Sequence, residues 1–146
     1  MKLKKFKFTK VESTNNTAIR IIKETKYNLG MIVAESQSNG GGQYGREWIS
    51  SKGNLFVSFF NELNKKKISI NAITKINCLL VKKLLSLFTS KKILFKKPND
   101  LLIDKKKISG ILQEVILVRG KKFLITGIGI NIKKNPIIRN YPATNL

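Results

Sequence analysis

A glycine-rich stretch in the first half of the chain has the composition of an anion-binding loop. Five glycines fall within fourteen residues, from Gly40 to Gly53, and apolar runs flank them on both sides. Such a loop lets consecutive backbone N–H groups converge on phosphate or carboxylate oxygens, because no side chains intervene. The segment GGGQYG matches neither a nucleotide-hydrolase phosphate loop nor a dinucleotide fingerprint, since no Gly-Lys-Ser/Thr follows and a strand is expected next. By itself it fits a flexible surface loop equally well.

A second set of chemically capable residues lies in the other half of the chain. The segment KKPND, residues 96–100, has the composition of a tight turn, which Pro, Asn and Asp favour. Lys107 precedes Gly110 by three residues, and Glu114 follows inside an otherwise apolar strand. A carboxylate among apolar neighbours requires a polar partner, because burying it alone is costly. Each of these features on its own has a structural explanation.

The surrounding pattern predicts two helices and several short strands. Ser13 or Thr14 can cap a helix over about residues 15–26, and a longer helix is predicted over 70–88. The apolar residues that predict the longer helix recur every three or four positions: Ile73, Ile76, Leu80, Leu84 and Leu87. Strands are predicted in MIVAES, NLFVSFF, KILFK and DLLI. This order predicts an α+β domain in which two helices cover a mostly antiparallel sheet.

The last strands are predicted to form a hairpin with a strip that lacks side chains. KISGILQEVILV and KKFLITGIGINI are joined by Arg119 and Gly120, which are suited to a tight turn. Gly127 and Gly129 alternate with larger residues along the second strand, on the face shared by Phe123, Ile125 and Asn131. Glycines at alternate positions allow another backbone or a ligand to lie close to the sheet.

The residue types that are absent exclude several classes of chemistry. The chain of 146 residues has no histidine and a single cysteine, Cys78. This composition excludes a histidine-based triad, a histidine-ligated metal and a thiolate zinc site. One cysteine cannot form an intrachain disulfide, which is consistent with a reducing cytoplasm. The basic N-terminus lacks an apolar signal region, and no apolar run is long enough to span a membrane, so no membrane association is expected.

The net charge of +21 comes from 29 Lys and Arg against 8 Asp and Glu. Such an excess attracts polyanions, so a basic nucleic-acid-binding module is an alternative from another functional class. The lysines are scattered through nearly every segment, which indicates a compositional drift of the whole chain. The interleaved exposed aromatic residues of single-strand binders are missing.

Taken in order, the motifs resemble the biotin protein ligases, which attach biotin to a lysine of carboxylase carrier domains. The resemblance runs from about residue 8 to the last residue. It includes Ser13-Thr14-Asn15, ESQSNGGGQYGREWISSKGNLFVS, KPNDLLIDKKKISGILQE, GIGINI and YPATNL. The most specific parts are Pro98-Asn99-Asp100 with Lys107 and Gly110, and Gly45-Arg46 with Trp48 ahead of Gly53-Asn54-Leu55.

The resemblance implies a fold and a reaction. The fold would be the catalytic domain of the biotin/lipoate ligase family, which is similar to class II aminoacyl-tRNA synthetases. The reaction would use ATP, Mg²⁺ and biotin. Biotin would attack the α-phosphorus of ATP to give biotinyl-5′-AMP and pyrophosphate, and a carrier lysine would then attack that anhydride. No covalent enzyme intermediate is needed. The implied partner is the biotin carboxyl carrier protein of acetyl-CoA carboxylase, and a homodimer is an arrangement that the resemblance allows.

The resemblance also implies roles for individual residues. The biotin site would comprise Ser13, Thr14 and Asn15 at the ureido end, Gln37, Gly110, and the strip of Gly127 and Gly129. The catalytic residues would be Lys107 at the reacting carboxylate and α-phosphate, Asn99 and Asp100 near the phosphates and magnesium, and Arg46. The adenylate and phosphate site would comprise the loop residues Gly40, Gly41, Gly42, Gln43, Gly45 and Arg46, together with Asn131 and with Trp48 near the adenine.

Two departures from the family pattern bear on activity. Relatives usually carry arginines in a loop of the form Gly-Arg-Gly-Arg-x-Gly-Arg, whereas Gly41 and Gln43 take two of those positions here and Arg46 alone remains. The family also continues beyond YPATNL into a helical segment and a small β-barrel-like domain. We therefore expect residues 1–146 to be a catalytic domain that lacks this C-terminal part. No winged helix-turn-helix precedes the motifs, so specific DNA binding is not expected.

Two alternatives within the same fold remain open. A lipoate–protein ligase is similar in fold and in acyl-adenylate chemistry, although the spacing from PND to Lys107 and Gly110 favours biotin. The second alternative is a catalytically inactive relative that only binds biotin. It stays open because the loop lacks two of the arginines that relatives carry.

Overall fold

In the part of the chain that the structure describes, a mixed seven-stranded sheet packs against two α-helices. The computed structural model describes residues 2–63, 69–138 and 140–146. The elements in chain order are β1 (Lys4–Val11), α1 (Thr14–Glu24), β2 (Leu29–Gln37), β3 (Gly40–Gly41), β4 (Glu47–Trp48), β5 (Leu55–Glu62), α2 (Ile70–Leu85), β6 (Ile93–Lys96), β7 (Asp100–Ile103), β8 (Lys106–Val118) and β9 (Lys121–Ile130).

The strands are ordered β1-β2-β5-β9-β8-β7-β6 in the main sheet. β1 and β2 pair in parallel, and the other neighbours pair antiparallel. The short strands β3 and β4 form a separate two-stranded sheet. This arrangement confirms the α+β prediction and its mostly antiparallel sheet.

The long β8–β9 hairpin forms as predicted from its turn residues. Arg119 and Gly120 both adopt positive φ, 51° and 72°, which is the conformation that two-residue hairpin turns require. The Arg119 guanidinium also donates hydrogen bonds to the carbonyl oxygens of Ile22 at 2.9 Å and Thr25 at 2.7 Å. Because these carbonyls lie at the end of α1, the hairpin turn caps that helix.

Helix α1 follows its sequence pattern closely. The Ser13 hydroxyl caps it by accepting a hydrogen bond from the Asn16 N–H at 3.3 Å. Its apolar residues Ala18, Ile21 and Ile22 are buried. They pack in one cluster with aromatic and aliphatic residues of β2, β5 and β9: Ile32, Phe60, Phe123 and Ile125. The helix ends at Glu24, two residues before the predicted end.

Helix α2 begins at Ile70 as predicted and ends at Leu85, three residues before the predicted end, but its most regular apolar stripe faces outward. Ile76, Leu80 and Leu84 are 53%, 60% and 50% exposed. The residues that pack on the sheet are instead Cys78, Val81 and Leu85. A periodic stripe on a surface helix is ordinarily the buried face. In α2, apolar residues occupy both faces, so the spacing identified the helix without identifying the side that is buried.

The N-terminal strand β1 was not predicted from the sequence, where residues 2–10 were interpreted only as a basic stretch. Phe6 and Phe8 alternate with polar residues and pack against the α1 cluster, which is a strand pattern. Lysines occupy the alternate positions of this edge strand, where they hinder pairing with other chains. Among the described residues no helix is long and apolar enough to cross a membrane.

Candidate functional site

A cavity lies where the start of α1, the glycine-rich loop and the β8–β9 hairpin meet. Its walls contain thirteen of the residues predicted to form a site: Ser13, Thr14, Asn15, Gln37, Gly41, Gly42, Gln43, Trp48, Asn99, Lys107, Gly110, Gly127 and Gly129. Phe56, Ile111, Leu112 and Ile128 complete the walls. Gly40, Gly45, Arg46, Asp100 and Asn131 do not line it. Residues from both ends of the chain are thus brought to one place.

Buried polar side chains form a continuous network on the α1 side of the cavity. The Gln37 Oε1 atom accepts a hydrogen bond from the Thr14 N–H at 2.8 Å, and Thr14 Oγ1 lies 3.1 Å from the same oxygen. The Ser58 hydroxyl lies 2.7 Å from Thr14 Oγ1 and 2.6 Å from Asn15 Oδ1. Asn15 Nδ2 donates to Glu114 Oε2 at 2.6 Å, so this carboxylate has the polar partner that its apolar strand required.

The glycine strip is covered by two side chains of the protein. Gly110 and Gly129 are directly opposite each other in the β8–β9 ladder. A Cβ built on Gly110 would lie 2.9 Å from the Trp48 indole, and one on Gly129 would overlap the same ring. A Cβ on Gly127 would overlap the Asn15 amide. The strip is therefore bare because these side chains approach it closely.

The Trp48 ring determines how much of the cavity is free. About 50 Å³ remains open, which suffices for a few water molecules and falls below the usual size of a ligand pocket. A ligand that lies along the strip would therefore have to displace the indole from Gly110 and Gly129. Among the described residues, the buried Trp48 Nε1 atom has no hydrogen-bond partner.

The glycine-rich loop has a defined conformation. Gly40 pairs with Trp48 across the small β3–β4 sheet, and the Gly42 N–H donates to the Arg46 carbonyl at 2.6 Å. Tyr44 and Gly45 adopt positive φ, 59° and 72°, at the tip of the loop. These contacts bring Gly41, Gly42 and Gln43 to the cavity and leave the Arg46 side chain exposed.

Lys107 lies in a cluster of charged and aromatic side chains at the other end of the cavity. Its Nζ atom is 2.8 Å from Asp100 Oδ1 and forms an ion pair with it. The same Nζ atom lies 5.1 Å from the ring centroids of Trp48 and Tyr141, within the range of cation–π attraction. The Tyr141 hydroxyl donates a hydrogen bond to Asp100 Oδ2. Both oxygens of the Asp100 carboxylate are thereby engaged.

Two acidic groups near Asp100 have raised pKa values. Burial, the hydrogen bond to Asp100 and the negative charge of that carboxylate raise the pKa of Tyr141, so the phenol remains a donor over the physiological range. Burial, with a smaller contribution from the Asp100 charge, raises the pKa of the Cys78 thiol to about 11. A buried neutral thiol is a poor nucleophile, so Cys78 is a core residue.

Asn99 and Asn131, two of the three asparagines predicted for the site, differ in position. Asn99 lines the cavity, and its Nδ2 atom donates to the Ile111 carbonyl at 2.8 Å. Asn131 is buried behind the cavity, where its Nδ2 atom donates to the Thr144 carbonyl at 3.1 Å. Asn131 therefore holds the C-terminal segment against the sheet in this structure.

A second, larger cleft of about 540 Å³ adjoins the first cavity. Gln43, Asn99, Ile111 and Leu112 line both spaces. The outer walls come from the start of α2 and the β6–β7 turn and include Lys75 and Lys97, and none of the described residues that line either space is acidic. The combined space is large enough for a ligand and is electrostatically suited to an anion.

Two residues of the site, Ser58 and Tyr141, were not singled out by the sequence reasoning, and the partner of a third, Glu114, was not identified. Ser58 lies within an aromatic strand and gave no signal apart from being the one hydroxyl in NLFVSFF. Glu114 was noted as a buried carboxylate without an identified partner. Tyr141 belongs to the motif YPATNL, which contributed to the resemblance without an assigned role.

The fold is an α+β domain whose cavity is lined by a polar floor, a glycine-rich loop and a partly buried lysine. The sequence profile of the Biotin/lipoate A/B protein ligase family matches residues 6–131. The chain belongs to this family.

Individual relatives agree with this assignment. The chain is 32% identical over 124 residues to the bifunctional ligase/repressor BirA of Escherichia coli, covering 84% of this chain and 38% of that protein. The biotin protein ligase of Aquifex aeolicus, solved with biotin and ATP, superposes with a TM-score of 0.79 at 32% identity, covering 97% of this chain and 59% of that one. The biotin protein ligase of Leishmania major, solved with biotinyl-5-AMP, gives 0.80 at 26% identity, covering 97% and 62%.

The lipoate branch of the family is more distant. A bipartite lipoate protein ligase from Thermoplasma acidophilum matches with a TM-score of 0.56 at 12% identity, covering 91% of this chain and 63% of that one, which shows a shared fold alone. The chain spans less than two thirds of the length of each of these relatives.

Proposed function

We propose that this chain carries the adenylate-forming site of a biotin protein ligase. The observation that supports this most strongly is the convergence of Thr14, Gln37, the glycine-rich loop and Lys107 on one cavity. These residues come from four separate segments, and the resemblance to the biotin protein ligases implies that all of them belong to one site. The relatives solved with biotin, ATP or biotinyl-5-AMP bind the substrates and intermediate that this reaction requires.

In the first step a carboxylate oxygen of biotin attacks the α-phosphorus of ATP, and the bond to the pyrophosphate oxygen breaks. Negative charge develops on the α-phosphate oxygens during this transfer. Lys107 is positioned to stabilise that charge, because it is a partly buried cation at the wall of the cavity. Its ion pair with Asp100 holds the ammonium in place before the substrates bind.

In the second step the carrier lysine amine attacks the acyl carbon of biotinyl-5′-AMP and AMP leaves. The enzyme provides no covalent nucleophile in this scheme. The chain is consistent with such a mechanism, because its single cysteine is buried and its thiol pKa is raised to about 11.

Magnesium would enter with the nucleotide. Mg²⁺ is usually held by one or two carboxylates together with substrate phosphates and water. Asp100 is the one carboxylate close to Lys107 in the cluster described above, and the described residues contain no group of three or more metal-ligating side chains. The donor set therefore suits a metal held mainly by ATP phosphates, and Asp100 would become a protein ligand only if its contact with Lys107 or Tyr141 opened. Bound there, the metal would neutralise phosphate charge.

The acceptor in this proposal is the biotin carboxyl carrier protein of acetyl-CoA carboxylase, in the cytoplasm. The net charge of +21 would speed the encounter with a carrier domain of opposite charge, although charge alone does not define the partner. A homodimer belongs to the same proposal, and sedimentation of the chain with and without biotin tests it.

The first half-reaction can be measured without knowing the carrier. Biotin-dependent exchange of labelled pyrophosphate into ATP is expected, and lipoic acid at the same concentration is expected to support much less exchange. The polar wall formed by Thr14 and Gln37 suits a ureido ring that carries N–H donors, which the dithiolane ring of lipoic acid lacks. Exchange that depends on lipoic acid in preference to biotin would overturn the assignment in favour of a lipoate ligase.

A catalytically inactive relative is the second candidate, because Gly41 and Gln43 stand where relatives carry arginines and Arg46 is exposed. Calorimetry separates the two. Biotin binding without any exchange at saturating ATP and Mg²⁺ would support the inactive relative and contradict the proposed activity.

A further inference from the structure

We propose that Glu114 is a positioning residue that sets the direction of a hydrogen-bond relay, and that this relay makes the cavity wall at Thr14 an acceptor of N–H groups. The inference rests on the proposed function for the identity of the ligand, biotin. The direction of the relay itself follows from the contacts within the protein.

The relay begins at the Glu114 carboxylate. A carboxylate accepts hydrogen bonds and cannot donate them. The Asn15 amide atom that lies 2.6 Å from it must therefore be the nitrogen, because two facing acceptors would repel each other. This contact joins residues 99 positions apart in the chain, and together with a longer contact of 3.5 Å from the same nitrogen to the Leu112 carbonyl it orients the Asn15 amide.

The Asn15 orientation then determines where the Ser58 proton lies. With its nitrogen turned to Glu114, Asn15 presents its Oδ1 atom to Ser58 at 2.6 Å. An amide oxygen can only accept, so the single Ser58 hydroxyl proton is directed to Asn15. Ser58 and Asn15 are almost completely buried, so few other partners compete for this proton.

The last step reaches the cavity. Ser58 Oγ has only lone pairs left for Thr14 Oγ1, 2.7 Å away, so Thr14 must donate its proton to Ser58. Gln37 Oε1 accepts the Thr14 N–H at 2.8 Å with one of its two lone pairs. The three contacts Ser58–Asn15, Ser58–Thr14 and Thr14–Gln37 share two hydroxyl protons, so the longest of them, the 3.1 Å contact between Thr14 Oγ1 and Gln37 Oε1, is the one left without a proton. Both oxygens then have lone pairs free at the cavity wall, and they repel each other until a donor lies between them. A ligand group with an N–H donor, such as a ureido nitrogen, matches this pair.

Replacing Glu114 by glutamine should preserve the shape of the side chain while removing the fixed direction of the hydrogen bonds in the relay. The glutamine amide can donate as well as accept, so the Asn15 amide can rotate by 180° and place its nitrogen next to Ser58. Ser58 would then donate to Thr14, and the Thr14 proton would point towards Gln37 and the cavity. A donor in that position opposes a ligand N–H.

The first test needs no ligand. Glu114 and Thr14 do not touch, so independent substitutions at the two sites should be additive. We expect Glu114→Gln and Thr14→Val to be non-additive by about fivefold in the unfolding equilibrium constant, and additive in a Ser58→Ala background. If Ser58→Ala does not fold, the Asn15 side-chain amide resonances provide the measurement. They should shift strongly in Glu114→Gln and remain unchanged in Glu62→Gln, a carboxylate on the same sheet that pairs with Lys121.

The second test uses biotin and a biotin analogue methylated on a ureido nitrogen. The wild type should bind biotin more tightly than the methylated analogue. In Glu114→Gln the ratio of the two affinities should fall by about tenfold, because losing one buried hydrogen bond to the ureido N–H has that magnitude. Glu62→Gln should leave it unchanged. Additivity at Glu114 and Thr14, or unshifted Asn15 resonances, would overturn the relay. An unchanged preference in Glu114→Gln would overturn its role in ligand selection. Non-additivity between Glu114→Gln and Thr14→Val in a protein that does not bind biotin would support the relay and contradict the proposed function.

Discussion

The two ends of the sheet bury side chains of different polarity. At the site end, the start of α1, the glycine-rich loop and the β8–β9 hairpin enclose buried hydroxyl, amide and charged groups. At the α2 end, α2 packs on β6, β7 and β8 through an apolar cluster that includes Cys78, Val81, Leu85 and Ile103. The site end buries polar groups at a cost, whereas the α2 end buries aliphatic ones.

This difference means that different regions of one small sheet determine the chemistry and the stability of the protein. Polar groups that are buried and fully partnered contribute little net stability compared with apolar packing, but they define a specific geometry. Substitutions at the site end should therefore change chemistry more than folding. Substitutions in the α2 cluster should change folding more than chemistry.

The largest stability effect is expected within α2 itself, between adjacent leucines. Leu85 is 3% exposed and Leu84 is 50% exposed. Leu85→Ala should destabilise the protein by about 2–5 kcal/mol, and Leu84→Ala by about 0.5 kcal/mol or less. Urea unfolding of the two variants measures the difference. Equal losses would mean that the outer stripe of α2 is covered in solution.

The largest effect on chemistry is expected at Lys107. Lys107→Met keeps an unbranched chain between the Trp48 and Tyr141 rings but removes the charge, so biotin-dependent pyrophosphate exchange should fall about a hundredfold or more. Its exposed neighbour Lys106 provides the control, and Lys106→Met should exchange normally. Unfolding curves recorded in parallel measure the cost of leaving Asp100 without its ion pair. Exchange by Lys107→Met within threefold of the wild type would remove this residue from the mechanism.

A pH effect should originate at the α2 end. The Cys78 thiol has a pKa of about 11 in the folded protein against an ordinary value of 9.0. Between these values the unfolded chain loses a proton that the folded protein retains, so the contribution to stability is complete below pH 9 and is lost as pH rises to about 11. The slope reaches at most about 1.4 kcal/mol per pH unit.

The Cys78→Ala variant isolates this contribution from the other groups that titrate in the same range. It should be less stable at pH 7 because of the cavity, and its stability should fall less steeply between pH 9 and 11 than that of the wild type. Parallel curves for the two proteins would contradict the raised pKa.

The smallest of these effects is expected at Gln43. It lines the cavity where relatives carry an arginine, and a charged hydrogen bond exceeds a neutral one by about 1–2 kcal/mol. Gln43→Arg should slow the release of biotinyl-5′-AMP about tenfold and reduce self-biotinylation of this lysine-rich chain. Asn39→Arg adds the same charge at an exposed position nearby and should change neither the release rate nor self-biotinylation. Release at equal rates would indicate that another cation already holds the phosphate.

Local patterns in the sequence were sufficient for much of this description. The hairpin turn at Arg119 and Gly120, the Ser13 cap and the two helices depend on interactions between neighbouring residues, so they could be predicted. The grouping of the candidate site residues came from the resemblance to the biotin protein ligases, which could be recognised because each motif keeps its spacing within one segment. The lone carboxylate in β8 was correctly identified as needing a partner.

Contacts between distant segments decided the rest. That Asn15 is the partner of Glu114, and that Trp48 rather than open space covers Gly110 and Gly129, depends on how α1 and the loop dock on the hairpin. The buried face of α2 likewise follows from packing on β6, β7 and β8, because both of its faces are apolar. Burial is a property of the assembled sheet, so periodicity along one segment specifies a helix without specifying its buried side.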